Sequence, residues 1–346
     1  MNRIQLESLS IGELRAMAAD AGLDTQRKAQ IIAALASDYR NGAAPAAAAA
    51  PEPSPQAPAP APAPDGSIIW PQVPPATSSI NGQYVEPPWL GELTAAATMG
   101  HVELMGPAGS GKTLAVHHLA ASLGKRLAVV TADGGLRKRD LVGQRELVGG
   151  QTIMMAAEFA AAARAGDWAL IDEANMSEPD ALAFLNGMTD RPGQAGSSFQ
   201  VGGQTVEVHP GFRCFLTRNP GYIGTRSMNE ALRDRFWSIE VPPLSGDSLA
   251  QMLSAHDVPQ RYVPDCVWLV DTLYKAWESN RISYQVSPRR ALAAAQMAEA
   301  TATKADDDIR HWLERSILSK IDAKHDRDSL EATITKAWQA LDYAAE

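Results

Sequence analysis

Two cysteines in 346 residues, Cys214 and Cys266, are too few and too far apart for a disulfide framework or a cysteine-based zinc site. The seven histidines form no ligand pattern; His117-His118 is expected as ordinary satisfied or exposed histidine. There is no His-Glu-x-x-His, and no Ser or Cys has a recognisable catalytic setting, so no protease site is evident. No apolar run approaches the length of a membrane span. The opening Met-Asn-Arg-Ile-Gln-Leu-Glu lacks the basic start and apolar block of a secretory leader. These absences together predict a cytoplasmic protein without a membrane partner. A basic excess is missing too: the net charge of −9 argues against broad attraction to nucleic acid, leaving only a local basic face open.

The chain is long enough for two or three domains, and its 45% hydrophobic content supports a real core. Residues 1–41 read as a small helical unit. Leu6, Leu9, Ile11, Leu14, Met17, Ala18 and Leu23 follow helical spacing, with Ser10 as N-cap and Gly22 as stop. A second helix starts near Thr25 and carries Ile31, Ile32, Leu35 and Tyr39 on its apolar side. With Leu14, Gly22, Leu23, Lys28, Ile31 and Ile32 in place, the unit resembles the SAP or Rho-N-terminal type of module. That resemblance implies binding of DNA or RNA. The charges of Arg3, Arg15, Arg27, Lys28 and Arg40 are balanced by Glu7, Glu13, Asp20, Asp24 and Asp38, which favours protein docking instead. Ala43 to Pro64 is almost wholly alanine and proline, where proline blocks helix propagation. Such a tether reaches at most roughly 70 Å when extended. The linker is expected over 42–88, with a less ordered lead-in from Asp65, and the main domain from Trp89.

The most specific signal is Gly106-Pro107-Ala108-Gly109-Ser110-Gly111-Lys112-Thr113. It sits where a short apolar strand (His101 to Met105) gives way to a helix. Three glycines let the backbone curl until its N–H groups point inward, at the positive end of a helix dipole. Lys112 is suited to the terminal phosphates and the Thr113 hydroxyl to Mg²⁺.

Around this loop the pattern alternates as in an α/β sheet covered by helices. A helix carrying Leu114, Val116, Leu119, Ala120 and Leu123 stops at Gly124, and Arg126 to Thr131 reads as a strand. A helix of small residues follows at Glu158 to Ala165, then buried strands at Trp168–Ile171, Phe212–Thr217 and Phe236–Val241. Gly143 to Met155 and Ser197 to His209 read as β-hairpins, the second turning at Gly202-Gly203. Beyond Pro243 only helices are expected: near Ser248–His256, Asp265–Glu278, Pro288–Thr303, Asp308–Lys324 and Ser329–Tyr343.

Asp172-Glu173 ends the strand at Trp168–Ile171, where ligands bind in an open parallel sheet. Asp172 is suited to hold Mg²⁺ beside Thr113, mainly through water, and Glu173 to deprotonate an attacking water. Asn219, after the strand at Phe212–Thr217, can bond that water or the γ-phosphate; an Asn-Pro turn needs no such role.

In this order the blocks resemble the AAA+ ATPases, and among them the MoxR and dynein-related group, over about residues 89–300. Asp140-Leu141-Val142-Gly143, Asp172-Glu173-Ala174-Asn175, Phe212 to Pro220, Ala231-Leu232-Arg233-Asp234-Arg235-Phe236 and Ser287-Pro288-Arg289 carry the likeness. It implies a P-loop NTPase core at 89–242, a parallel sheet between helices, with an all-helical lid at 243–346. It also implies Asn219 as sensor 1, Arg289 as sensor 2, and Arg235 or Arg233 as an arginine finger reaching a neighbouring subunit. The expected protein is a Mg²⁺-dependent ATPase ring, a hexamer, remodelling a protein client as MoxR proteins and the cobaltochelatase small subunit do, often with a von Willebrand A-type partner. In that family the hairpins project toward the ring's pore or its partner. The alternative is a DNA-associated motor similar to McrB-type NTPases, with residues 1–41 finding DNA.

Overall fold

The computed structural model describes residues 68–77, 84–189, 197–220, 225–226, 228–301, 309–321 and 324–345. The helical unit over 1–41 and the alanine–proline tether lie outside them.

The first elements are β1 (Ile68–Ile69), α1 (Leu90–Met99), β2 (His101–Met105), α2 (Lys112–Ser122) and β3 (Leu127–Thr131). A short helix, α3 (Lys138–Val142), leads into the hairpin β4 (Gly143–Val148) and β5 (Gln151–Ala156). Then come α4 (Glu158–Ala165), β6 (Trp168–Asp172), and two short helices, α5 (Pro179–Leu182) and α6 (Leu185–Thr189). The second hairpin is β7 (Ser198–Val201) with β8 (Gln204–Glu207), followed by β9 (Arg213–Arg218), α7 (Glu230–Arg233) and β10 (Phe236–Glu240).

Five strands form the central sheet in the order β10-β2-β9-β6-β3, parallel throughout. Both faces are covered, so the inner strands read as short apolar runs rather than alternating ones. On one face Val102 and Leu104 pack with Leu93 and Ala96 of α1 and Val116, Leu119 and Ala120 of α2. On the other, α4 buries Phe159 and four successive alanines, Ala160 to Ala163. Small side chains let that helix lie close to the sheet. It ends at Gly166, whose φ of 83° closes the last turn by donating to the Ala162 carbonyl.

Both hairpins turn on glycine pairs with positive φ, Gly149-Gly150 and Gly202-Gly203. A side chain at Gly202 would come within 2.9 Å of Met154, so the second turn rests on the first hairpin.

The lid comprises α8 (Gly246–Ala255), α9 (Val263–Glu278), α10 (Arg289–Thr301), α11 (Ile309–Leu318) and α12 (Lys324–Ala345). It has its own core of Leu249, Leu269, Leu273, Ala291, Leu313 and Ile334.

Two boundaries differ from those expected. The lead-in is not a linker from residue 68 onward. β1 pairs in parallel with β5, Val73 is 3% exposed, and the Pro74 carbonyl accepts the Leu127 amide at 3.0 Å. Arg164 stacks on Trp70 at 4.8 Å. Prolines 71, 74 and 75 mimic a linker, yet Pro74 pairs through its carbonyl, which proline retains, and the donor comes from Ala76, whose amide bonds the Lys125 carbonyl at 3.1 Å. In the lid, α11 stops at Leu318, short of Lys324. Turn bonds from Lys320 to the Ile317 carbonyl and from Ile321 to Leu318 end the helix, and α12 begins at Lys324.

Candidate active site

β2 ends at Met105 and the glycine-rich loop bends over the C-terminal edge of the sheet. Gly106 is anchored by its amide to the Arg218 carbonyl at 3.2 Å. A Cβ there would lie 2.3 Å from the Val241 carbonyl oxygen, so no larger residue fits. Gly111 adopts φ 87° and caps α2, which starts at Lys112. The loop amides thus gather at a helix N-terminus, the arrangement that receives phosphate.

Lys112 is buried. Its ammonium donates to the Gly106 carbonyl at 2.9 Å, to the Pro107 carbonyl at 2.7 Å and to Ser110 Oγ at 3.3 Å. Burial lowers its pKa to about 8, and Arg289 pushes the same way, against Asp172 and Glu173. A phosphate would replace neutral carbonyls with anionic acceptors, a stronger set of partners.

Asp172 sits at the tip of β6. Its Oδ1 accepts from Thr113 Oγ1 at 2.7 Å and from Thr217 Oγ1. Thr217 accepts in turn from the Glu173 amide at 2.9 Å. Glu173 takes φ 56°, ψ 38°, a left-handed conformation that costs about 1 kcal/mol or more in a non-glycine residue. A strained residue immediately after the metal-type carboxylate turns the chain sharply off the strand.

Asn219 follows β9. Its backbone is held by Asn175, which donates from Nδ2 to the Asn219 carbonyl at 3.0 Å and accepts the Asn219 amide at Oδ1 at 3.4 Å. The Asn219 side-chain Oδ1 is buried without a hydrogen-bond partner, a cost that a bound water or ligand would relieve.

The lid closes one side of the loop. A Cβ on Gly109, whose φ is 80°, would lie 2.6 Å from Ser287 Oγ, 3.2 Å from Pro288 and 3.8 Å from Arg289. Arg289 therefore begins α10 directly against the phosphate loop.

Lys112, Thr113, Asp172, Glu173, Asn219 and Arg289 thus share one edge of the sheet. Arg233 and Arg235 do not. They precede β10, whose first residue, Phe236, pairs with His101 at the start of β2. A five-residue strand, roughly 16 Å, separates that end from the loop. Sequence reasoning assigned no role to Thr217 or Asn175. The signal for Thr217 was its alternation with Leu216 and Arg218 on a strand leading to Asn219, which turns it toward Asp172. For Asn175 it was its place in the block after the acids.

An anion nest at a helix N-terminus, a strand-tip Asp bonded to the loop's threonine and a parallel sheet define a P-loop NTPase. The family model "AAA domain (dynein-related subfamily)" matches residues 101–236. The uncharacterized protein YojN of Bacillus subtilis (strain 168) is 30% identical over 241 residues, covering 67% of this chain and 77% of its own. The uncharacterized protein SH1500 of Staphylococcus haemolyticus (strain JCSC1435) is 27% identical over 241 residues, covering 68% and 89%. A solved structure from Cytophaga hutchinsonii is 18% identical, covers 70% of this chain and 88% of its own, and has a TM-score of 0.39, too loose a likeness to carry weight. The chain belongs to the AAA+ ATPases, in the dynein-related group. It is a nucleotide-binding ATP hydrolase. Among the described residues no helix is long and apolar enough to cross a membrane.

Proposed function

We propose that this ATPase works with Mg²⁺ as a homo-oligomeric ring, a hexamer, and uses its cycle to remodel a protein partner. The observation that carries the reading is the distance of Arg233 and Arg235 from the phosphate loop of the same chain. Every other candidate group gathers at the C-terminal ends of the strands, while these two precede the opposite end of β10. Arg289 supplies one guanidinium from the same chain; Arg233 or Arg235 can add a second to the transferring phosphoryl group only from another copy.

The residues fit ATP and Mg²⁺. Thr113 and Asp172 are oxygen donors 2.7 Å apart, the hard ligand set that Mg²⁺ takes together with phosphate and water oxygens. When bound, the ion supplies positive charge to the terminal phosphates. The loop amides after Pro107, up to Thr113, and the Lys112 ammonium hold the phosphate chain. Glu173 accepts the proton of a water attacking the γ-phosphorus as the bond to the β-phosphate oxygen breaks, giving ADP and phosphate. Asn219 orients that water, and Arg289 couples the γ-phosphate to the lid.

Remodelling is supported by the tip of the first hairpin, where Leu147 is 75% and Val148 48% exposed. Apolar side chains on a projecting turn suit contact with another protein. The partner class is a protein client or a von Willebrand A-type protein, recruited by residues 1–41; a DNA contact by that segment is the competing assignment. Free, buried Cys214 and Cys266 suit a reducing cytoplasm.

Mixing subunits tests the ring. Glu173→Gln and the double variant Arg233→Ala/Arg235→Ala should each be nearly inactive alone. Mixed, they form some interfaces with both groups intact, so turnover should return to about a quarter of wild type, since random pairing leaves that fraction of sites whole. No recovery on mixing, or full activity of the arginine double variant alone, would refute the shared site.

A further inference from the structure

Among the described residues the buried core holds two long charged side chains, Lys112 and Glu103. Lys112 belongs to the phosphate loop. Glu103 lies mid-strand in β2 at 0% exposure, between Val102 and Leu104, which are also at 0%. A carboxylate there needs partners, because an unpaired charge in apolar surroundings is costly. They come from both neighbouring strands. Arg218 Nε on β9 lies 2.5 Å from Glu103 Oε1, and Ser238 Oγ on β10 donates to Oε2 at 2.9 Å.

Arg218 is no ordinary core residue. Its carbonyl receives the Gly106 amide at 3.2 Å, and Asn219 is the next residue along the chain. One residue therefore links the entry of the phosphate loop to the orphaned amide oxygen of Asn219. Apolar residues of equal volume would join these strands at least as well as a buried ion pair. What an apolar pair would lose is a fixed direction for Arg218.

We propose that Glu103 is a positioning residue for ATP hydrolysis, fixing Arg218 and through it the place of Asn219 relative to the phosphate loop. The proposal rests on the reading of Asn219 as the group that orients the attacking water. Ser238, on the strand that begins one residue after Arg235, hydrogen-bonds Oε2, while Oε1 has the Arg218 ion-pair contact but no hydrogen bond.

The experiment compares Glu103→Gln, Asn219→Ala and their combination in the full chain, measuring ATP turnover and binding of a non-hydrolysable ATP analogue. Glu103→Gln should bind the analogue within about twofold of wild type while kcat falls about tenfold or more. Added to Asn219→Ala, it should lower kcat by no more than about twofold further, as expected for residues acting as a unit. An apolar pair, Glu103→Met with Arg218→Met, removes both charges and keeps the test open should Glu103→Gln not fold. It should regain thermal stability yet still turn over slowly. Wild-type turnover in either variant, independent multiplication with Asn219→Ala, or analogue binding lost in parallel with turnover would overturn the proposal. Slow Asn219→Ala beside fast Glu103→Gln sinks this proposal alone; full turnover in Asn219→Ala sinks the reading beneath it as well.

Discussion

Thr217 donates to the Asp172 carboxylate while accepting the Glu173 amide at 2.9 Å. One buried hydroxyl on β9 thus orients the metal-type carboxylate and the strained residue beside it, tying the tips of two adjacent strands together.

Replacing Thr217 by valine keeps the volume and deletes both bonds. The part-buried Glu173 amide and Asp172 then each lose a partner, at a cost of about 1–3 kcal/mol. We expect kcat to fall about tenfold or more with a smaller change in KM, and the melting temperature to drop. Steady-state kinetics and thermal unfolding of the same preparation check this, and an unchanged kcat would count against the arrangement.

Gly109 and Gly111 separate steric from conformational demand. Both have positive φ, but a Cβ on Gly109 meets Ser287 at 2.6 Å whereas Gly111 faces open space. Gly111→Ala should cost only the backbone strain, about 1 kcal/mol. Gly109→Ala should also push the lid from the loop, weakening ATP binding about tenfold more. Titration with a fluorescent ATP analogue distinguishes them; equal losses would mean that the lid contact is immaterial.

Under the proposed role of Lys112, nucleotide binding should be proton-linked. Burial lowers its pKa from 10.5 to about 8. In the unfolded chain the lysine stays charged up to the higher value, so between these values the unfolded state binds more protons and stability rises with pH. The charged form's penalty, on the order of 3 kcal/mol, is fully present below pH 8 and relieved above it. Phosphate favours the charged form, so ATP affinity should be flat below about pH 7.5 and weaken above pH 8 by up to about tenfold per unit. Calorimetry in buffers of different ionisation enthalpy should show proton uptake on binding at pH 8.5, absent in Lys112→Met. The same proton uptake in that variant would exclude Lys112 as its source.

The segment at 68–77 belongs to the folded unit. Val73→Asp should destabilise it by several kcal/mol, since a 3% exposed position would hold an unpaired carboxylate. A chain starting at residue 84 should melt well below one starting at residue 66. Equal melting temperatures would show the segment to be dispensable.

The loop from Gly106 to Thr113 and the acids at the end of β6 were legible because each is dictated locally. A phosphate nest needs glycine where φ is positive, and a buried strand ends where its apolar run meets carboxylates. The hairpins were legible for the same reason, through Gly149-Gly150 and Gly202-Gly203. The segment at 68–77 was hidden, because its prolines look like a tether yet leave its pairing intact: Ile68–Ile69 pair with β5 and the Pro74 carbonyl accepts the Leu127 amide.

Sequence alone determined the chemistry on offer: a lysine on a glycine-rich loop, a strand-tip acid pair, and an amide at Asn219. Tertiary structure decided who meets whom. The strand order puts β9 between β2 and β6, and that adjacency lets Thr217 touch Asp172 and Arg218 touch Glu103. The same parallel register leaves Arg233 and Arg235 at the far end of the sheet. No local pattern encodes strand order, because it emerges from how helices on two faces bury their apolar sides together.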